Sequence, residues 1–535
     1  MVTEIELKYS LLESNELTTP KQIETSVSQL LSEHQLSFVH QVKQLSNHYF
    51  DTADLTLRKS SIALRTRGTQ CFGKAESFEQ TIKTSGTMIA GLHQRPEYNI
   101  DIDDDRPIIA LFPNTIWQSN TDIHQLQQQI VELFSTNFTR HTWLVSLADA
   151  QIEIAFDCGE IACQGYDNKP RIYEIELELV RGDAQALFVL TKLLFSQLAL
   201  RPGQLTKAAR GYALYHQSLA LNFKIKNEQV NGCDAVQPIV LSMIDLPKET
   251  QLNEAFTHGV EFSLTQLQRC IDSYVDAPSL TKLNKVSELL VLLRQGFWVF
   301  SELLIDDEIT LRNELSYFIR TIHWVDNARY IQLLTNKKSS YQKEMFINKE
   351  LITKLQLCHN RYATESQVLV LLHSERFNNL QLELLSLLLK RNNTNWAVNK
   401  SSPSLVEFAA KHLTSTSKAV NIELTKLQKL PDASSIDLYL TAHRLLIRAL
   451  LTTSWFSYLF AETDSGIVKG FNMPWLDIKQ GISELQSLNL LQQQLVHLPN
   501  QEKKLTQWLA NKSENLIKAL DQSRAKALTM KAYWS

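Results

Sequence analysis

From residue 1 to about residue 180 the chain alternates charged or polar with aliphatic side chains at a period of two: "EIELKYS", "VKQLSNHYFDT", "SIALRTRG", "FEQTIKTSG", "LHQRPEYNID", "TRHTWLVSLA", "AQIEIAFDCGEIAC" and "RIYEIELELV". On a β-strand that period sends successive side chains to opposite faces. Glu4, Glu6 and Lys8 therefore share one face while Ile5 and Leu7 share the other. The same division recurs in every segment, and the charged face carries both signs. These segments predict eight strands, interrupted by helical patterns near 20–33, 106–118 and 122–135, with another near 183–199.

A strand with one aliphatic face needs a cover, and the interspersed helices supply it. Eight antiparallel strands can remove their unpaired edges by closing into a barrel. The charged face then becomes the lumen. Buried charge without a partner is costly, so a lumen rich in cations and carboxylates implies an occupant, and the natural one is a polyanion together with a divalent metal. Arg and Lys grip phosphate oxygens, the first by forked hydrogen bonds and the second as a point charge. Clustered Glu and Asp hold Mg²⁺ or Mn²⁺.

From about residue 250 the period becomes 3.6 and the sequence turns Leu-rich, as in amphipathic helices. Between the two regimes "NFKIKNEQVNGCDAVQP" is polar and aperiodic. The expected organisation is an α+β domain over 1–217, a linker over 218–250 and an all-α domain of helical bundles over 251–535. Two Leu-rich helices, around 281–303 and 438–460, suggest an internal duplication.

Composition narrows the functional classes. A net charge of -3 over 535 residues gives no general attraction to nucleic acid, so an anion site must be local. Six cysteines without a CxxC pair fit reduced thiols in a cytoplasmic protein. The most apolar runs carry a charged or polar residue every few positions and predict buried helices, with no membrane span. No phosphate-binding GxxxxGK[ST], HExxH, GxSxG or GxGxxG motif occurs, and the fourteen histidines show no ligand spacing, which predicts surface or core roles for them.

The ordered set of lumen residues resembles the CYTH family, the triphosphate tunnel metalloenzymes. Its ExExK hallmark matches Glu4, Glu6 and Lys8, and its basic pair matches Arg65 and Arg67 after "HYFDT". Lys83 in "TIKT", Arg95 and Glu97, Arg140, Asp157, and Glu174, Glu176 and Glu178 in "EIELE" follow in order. Lys207 and Arg210 in "TKAARGY" close the set. A CYTH domain followed by a long helical segment resembles the inorganic triphosphatases that carry a CHAD domain.

The resemblance implies an eight-stranded antiparallel tunnel that hydrolyses tripolyphosphate to pyrophosphate and phosphate with Mg²⁺ or Mn²⁺. Arg65, Arg67, Lys83, Arg95, Arg140, Lys207 and Arg210 would bind substrate. Glu4, Glu6, Asp157, Glu174, Glu176 and Glu178 would hold metal, and Lys8 would contact phosphate or orient water. Alternatives are an organic triphosphatase acting on thiamine or nucleoside triphosphates, an adenylate cyclase, or a non-catalytic polyphosphate-binding protein. In the helical half "AHRLLIRALLTTSWF" keeps His443, Arg444 and Arg448, but Leu446, Leu450 and Leu451 stand where a CHAD helix would carry more cations. Weak polyphosphate binding and a mainly structural role are expected there.

Overall fold

The computed structural model describes residues 2–534 apart from 13–18, 72, 74, 90–91, 118–120, 204, 225–242, 337–338, 340, 342–344, 346–347, 393–402, 427–434, 461–464 and 497–502. Much of the expected linker, 218–250, lies outside the described residues. The chain divides into two compact units: Met1–Asp234 with Leu369–Leu382, and Ala235–Val368 with Glu383–Ser535.

In the first unit the strands are β1 (Val2–Leu11), β2 (Ser37–Thr52), β3 (Ala63–Cys71), β4 (Ser77–Lys83), β5 (Thr87–Ile89), β6 (Leu92–Ile102), β7 (Ile130–Leu147), β8 (Ala150–Ala162), β9 (Arg171–Arg181) and β10 (Leu200–Pro202). Their order is β10-β1-β9-β8-β7-β2-β3-β4-β6-β5, and β1 also pairs with β6. That extra pairing closes an eight-stranded antiparallel barrel, with β5 and β10 as short additions. The expected tunnel is present.

The aliphatic outer face is covered by helices α1 (Pro20–Glu33) and α4 (Gln185–Phe195), which bury Ile23, Val27, Leu30 and Leu31, and Leu187, Leu190 and Leu194 respectively. Thr19 caps α1 in a box with Gln22, and Pro20 presets the first turn. The short helix α2 (Thr56–Lys59) follows "HYFDT". Asp51, fully buried, accepts hydrogen bonds from the amides of Thr52 (2.7 Å), Leu57 (2.8 Å) and Arg58 (3.0 Å), so this aspartate organises the turn.

One expected helix is corrected. The helical pattern over 122–135 ends early: α3 spans only Ile123–Gln129, and the chain then enters β7 at Ile130. The segment "IVELFSTNF" is rich in β-branched and aromatic residues, and β2 offers it a pairing partner along its whole length, with Thr52 opposite Ile130 and Phe38 opposite Val145. Likewise 106–118 contains two short 3₁₀ turns, Ile109–Leu111 and Asn114–Ile116, in place of a helix.

An aromatic cluster of Tyr49, Phe134, Phe138 and Tyr212 closes part of the barrel. Tyr212 comes from α5 (Lys207–Lys224), the helix that begins at "KAARGY". A Cβ on Gly211 would lie 2.0 Å from the Phe134 ring, so only glycine lets α5 approach this closely.

The second unit is helical in its described residues. Three of its helices are α6 (Leu252–Asp276), α7 (Leu280–Val299) and α8 (Asp306–Ile322). Trp455, fully buried on helix Ser435–Phe456, sits against both Gly259 of α6 and Gly296 of α7, where a Cβ would come within 1.9 and 2.1 Å of the indole. Its Nε1–H donates to the Leu292 carbonyl at 3.1 Å. Among the described residues no helix is long and apolar enough to cross a membrane.

Candidate active site

The register aims the charged residues inward as the alternation requires. Glu6 lies opposite Glu178 on β9 and opposite His93 on β6. Arg67 pairs with Asn47 and Glu79, Lys83 with Glu97, and Asp157 lies opposite both Arg140 and Glu174. Lys207 and Arg210 reach the same volume from the start of α5, next to Glu174. Ion pairs join Lys8, Arg140, Asp157, Glu174, Glu176, Lys207 and Arg210 in one network and Glu4, Arg65, Lys83 and Glu97 in another.

Their charges are not evenly balanced. At the centre Asp157, Glu174 and Glu176 place carboxylate oxygens within 4.8 Å of one another, a spacing that can hold a metal. Each is already matched by cations. Arg140 grips Asp157 through Nε (2.7 Å) and Nη2 (2.6 Å) and also reaches Glu176 (2.7 Å). Lys207 contacts Asp157 (2.6 Å), Glu174 (2.5 Å) and Glu176 (3.0 Å), and Lys8 contacts Glu174 (3.3 Å) and Glu176. Burial opposes ionisation of Glu176, but Lys207, Lys8 and Arg140 outweigh it and hold the carboxyl well below its ordinary range. Burial also opposes the charge of Lys8, yet Glu174, Glu176 and Glu6 hold its ammonium well above the ordinary lysine value. Lys8 is therefore charged at neutral pH and cannot serve as a base.

One side of the lumen has excess negative charge. Glu178 is pushed up to about 7, first by burial and then by Glu4, Glu153 and Glu6, against the opposing pull of Lys83. Burial, then Glu176 and Glu4, likewise raise Glu6, which is 8% exposed. Glu153 faces Glu178 across β8 and β9. Spacing alone favours a metal at Asp157, Glu174 and Glu176, whereas charge balance favours Glu4, Glu6 and Glu178. Charge is the stronger criterion, because a cation entering the first group must displace the ammonium and guanidinium groups that hold all three carboxylates, while in the second Lys83 pairs with Glu4 and an added cation relieves the repulsion on Glu6 and Glu178. The oxygen-only donor set suits a hard divalent ion.

The opposite side has excess positive charge. Arg67 donates to Asn47 Oδ1 at 2.8 Å and makes no carboxylate ion pair among the described residues, although Glu79 lies opposite it on β4. Burial, then Arg65 and Arg140, lower it to about 10. Arg65 contacts Glu97 at 3.4 Å, and Lys83 contacts Glu4 (2.5 Å) and Glu97 (3.3 Å). Arg95 sits opposite Glu4 on the strand pair that closes the barrel.

Three lumen residues fell outside the sequence-based site: Glu153, Asn47 and His93. Glu153 was visible as an inward position of "QIEIAFD", but only the register puts it beside Glu178. His93, 2% exposed, is lowered to about 4 by burial and by Lys8 and Arg95, so it is a neutral imidazole within this charged wall.

The trio expected in the helical unit is divided. Arg448 lies over the Trp298 ring at 4.6 Å, and Arg294 is lowered by burial first and then by Arg448 and Arg320. His443 is lowered to about 4 by burial and by Lys479, and Arg444 is exposed. Leu446 and Leu450 are buried, as packing residues should be.

A closed antiparallel barrel whose lumen interleaves carboxylates with ammonium and guanidinium groups defines a class of charged tunnel. Residues 3–212 match the sequence model of the CYTH domain. Over 219 residues the chain is 34% identical to the inorganic triphosphatase of Haemophilus influenzae, an alignment that spans 40% of this chain and 55% of that protein. Among solved structures, the CHAD domain from the plant Ricinus communis is similar at 15% identity and a TM-score of 0.40, covering 56% of this chain and 99% of that one. HpAC1 from Hippeastrum, described by a dominant triphosphatase activity, is similar at 18% identity and a TM-score of 0.27, covering 40% of this chain and 95% of that one.

Proposed function

We propose that the tunnel hydrolyses inorganic triphosphate to pyrophosphate and phosphate with a divalent metal, Mg²⁺ or Mn²⁺. The observation that carries this reading is the local imbalance of lumen charge: burial, Glu4, Glu153 and Glu6 raise Glu178 against the pull of Lys83, while burial, Arg65 and Arg140 lower Arg67. A metal triphosphate complex presents the complementary pair of charges. The CYTH domain and the triphosphatase relative support the same reaction.

Glu4, Glu6 and Glu178, with Glu153 beside them, would hold the metal, with Asp157, Glu174 and Glu176 as the further acidic group. Metal bound there neutralises phosphate charge and acidifies bound water. Arg65, Arg67, Lys83, Arg95, Arg140, Lys207 and Arg210 align the phosphate chain. Water adds to a terminal phosphorus, the bond to the bridging oxygen breaks, and the guanidinium and ammonium groups stabilise the charge that develops on that leaving oxygen. Lys8, held charged, orients phosphate or water electrostatically. His93, neutral, offers a proton acceptor beside Glu6.

The test is parallel turnover of tripolyphosphate, ATP and thiamine triphosphate by the purified chain with Mg²⁺, following phosphate and cyclic AMP. Fast turnover of tripolyphosphate without cyclic AMP is expected. Equal or faster turnover of ATP would overturn the substrate assignment, and no turnover of any of the three would point to a non-catalytic receptor.

Arg67→Ala should raise KM and lower kcat together, because it deletes a lumen cation that makes no carboxylate ion pair among the described residues. Unchanged values of both would remove Arg67 from the phosphate site.

Metal affinity should depend on pH with a defined sign. Glu178 is raised from 4.5 to about 7 in the folded protein, so without metal its ionisation costs stability as pH climbs through that window. Metal competes with the proton for the carboxylate. The rise in Tm on adding Mg²⁺ should therefore grow from pH 5 to pH 8. A rise independent of pH would exclude Glu178 as a ligand.

The helical unit is proposed to be CHAD-like, with weak polyphosphate binding at Arg294, Arg320 and Arg448 and with Arg444 and His443 nearby in sequence on the same helix as Arg448.

A further inference from the structure

On the outer face of the barrel, away from the lumen, two histidines and a glutamate converge. In the pairing of β2 with β7, His40 lies opposite Trp143 and His141 lies opposite Val42, so both imidazoles share the face that α1 covers. Their rings stack at 5.9 Å and 17°. Glu24 reaches them from α1: its carboxylate oxygens lie 3.8 Å from His40 Nε2 and 3.5 Å from His141 Nδ1. The helix is fixed in place one turn further on, where Trp143 Nε1–H donates to Ser28 Oγ at 2.9 Å.

We propose that Glu24, His40 and His141 form a second metal site, for a transition ion such as Zn²⁺, that clips α1 to the two longest strands of the barrel. His141 is 7% exposed, and both its Nδ1 and His40 Nε2 are buried without a hydrogen-bond partner although they point at the Glu24 carboxylate. Separations of 3.5 and 3.8 Å are long for hydrogen bonds. They are close to the roughly 3.3 Å edge of a tetrahedron with bonds of about 2.0–2.1 Å to a central zinc. All three ligand atoms lie within 4.8 Å of one another. Two imidazole nitrogens and one carboxylate suit Zn²⁺ better than Mg²⁺, and the Glu24 side chain, 32% exposed, leaves a solvent side for a fourth ligand.

The purified full-length chain, stripped with chelator and returned to excess Mg²⁺, would be titrated with Co²⁺ and then with Zn²⁺. The expected result is one equivalent of Co²⁺ with the visible absorption of a tetrahedral site, bleached by one equivalent of Zn²⁺. Zn²⁺ should also raise Tm. The absorption should persist in Glu6→Gln, a tunnel variant, and vanish in both His40→Gln and Glu24→Gln, two partly exposed positions where the fold should survive. Absence of the band in the wild type, its survival in both outer-face variants, or its loss in Glu6→Gln would each overturn the site.

Discussion

Replacing Glu6 by glutamine should lower kcat at least about a hundredfold at any practical Mg²⁺ concentration, roughly 2.7 kcal/mol of barrier. The substitution keeps the shape of a side chain that is 8% exposed and removes one charged oxygen from the carboxylate group that, together with burial, raises Glu178. The fold should hold, since the metal-free protein loses a repulsion and no ion pair. The rise in Tm on adding Mg²⁺ should shrink with activity, which separates loss of metal from loss of structure. A variant that kept more than about a tenth of the wild-type kcat would show that Glu6 is not a ligand. The equivalent change at Asp157 should behave differently: it takes one of their charged partners from both Arg140 and Lys207, so Asp157→Asn should destabilise the barrel itself.

The second large effect is expected in the helical unit, on stability. Arg391 and Glu308 form a buried forked pair, Nε to Oε1 and Nη2 to Oε2, each at 2.7 Å, and Arg391 also donates to the Leu303 carbonyl at 3.1 Å. Arg391 further lies over the Phe256 ring at 4.7 Å. Removing one member strands the other as a buried charge, so Arg391→Ala should cost about 3–5 kcal/mol. Chemical denaturation followed by helical circular dichroism measures this. The double change Arg391→Met with Glu308→Leu should recover most of the loss, because it removes both charges and fills the space. A single change costing less than about 1 kcal/mol would mean the pair is solvated in solution.

The tunnel was legible in the sequence because strand alternation leaves little choice. With a period of two, Glu4, Glu6 and Lys8 must share a face, and so must Glu174, Glu176 and Glu178; a one-residue slip in register would turn the aliphatics of either strand into the lumen. The switch of period near residue 250 marked the helical half for an equally physical reason, since a 3.6-residue repeat cannot bury one face of a strand. Local pattern was weaker where two structures competed. Over 122–135 the spacing suited a helix, and pairing with β2 converted its second half to strand from Ile130.

What the sequence could not contain was which charges meet. The acidic strand pattern and the family resemblance put metal on Asp157, Glu174 and Glu176 as well as on Glu4, Glu6 and Glu178; the structure adds that Lys8, Arg140 and Lys207 already pair with the first trio and that Glu153 stands beside the second. His93 and Glu153 became lumen residues only through register. Glu24, His40 and His141 are spread over more than a hundred positions with no ligand spacing, and only the packing of α1 across two paired strands brings their ligand atoms within 4.8 Å. Periodicity determines the face on which a charge lies, because that depends on the backbone repeat alone. Electrostatic balance is a sum over neighbours distant in the chain, and only the closed barrel fixes those distances.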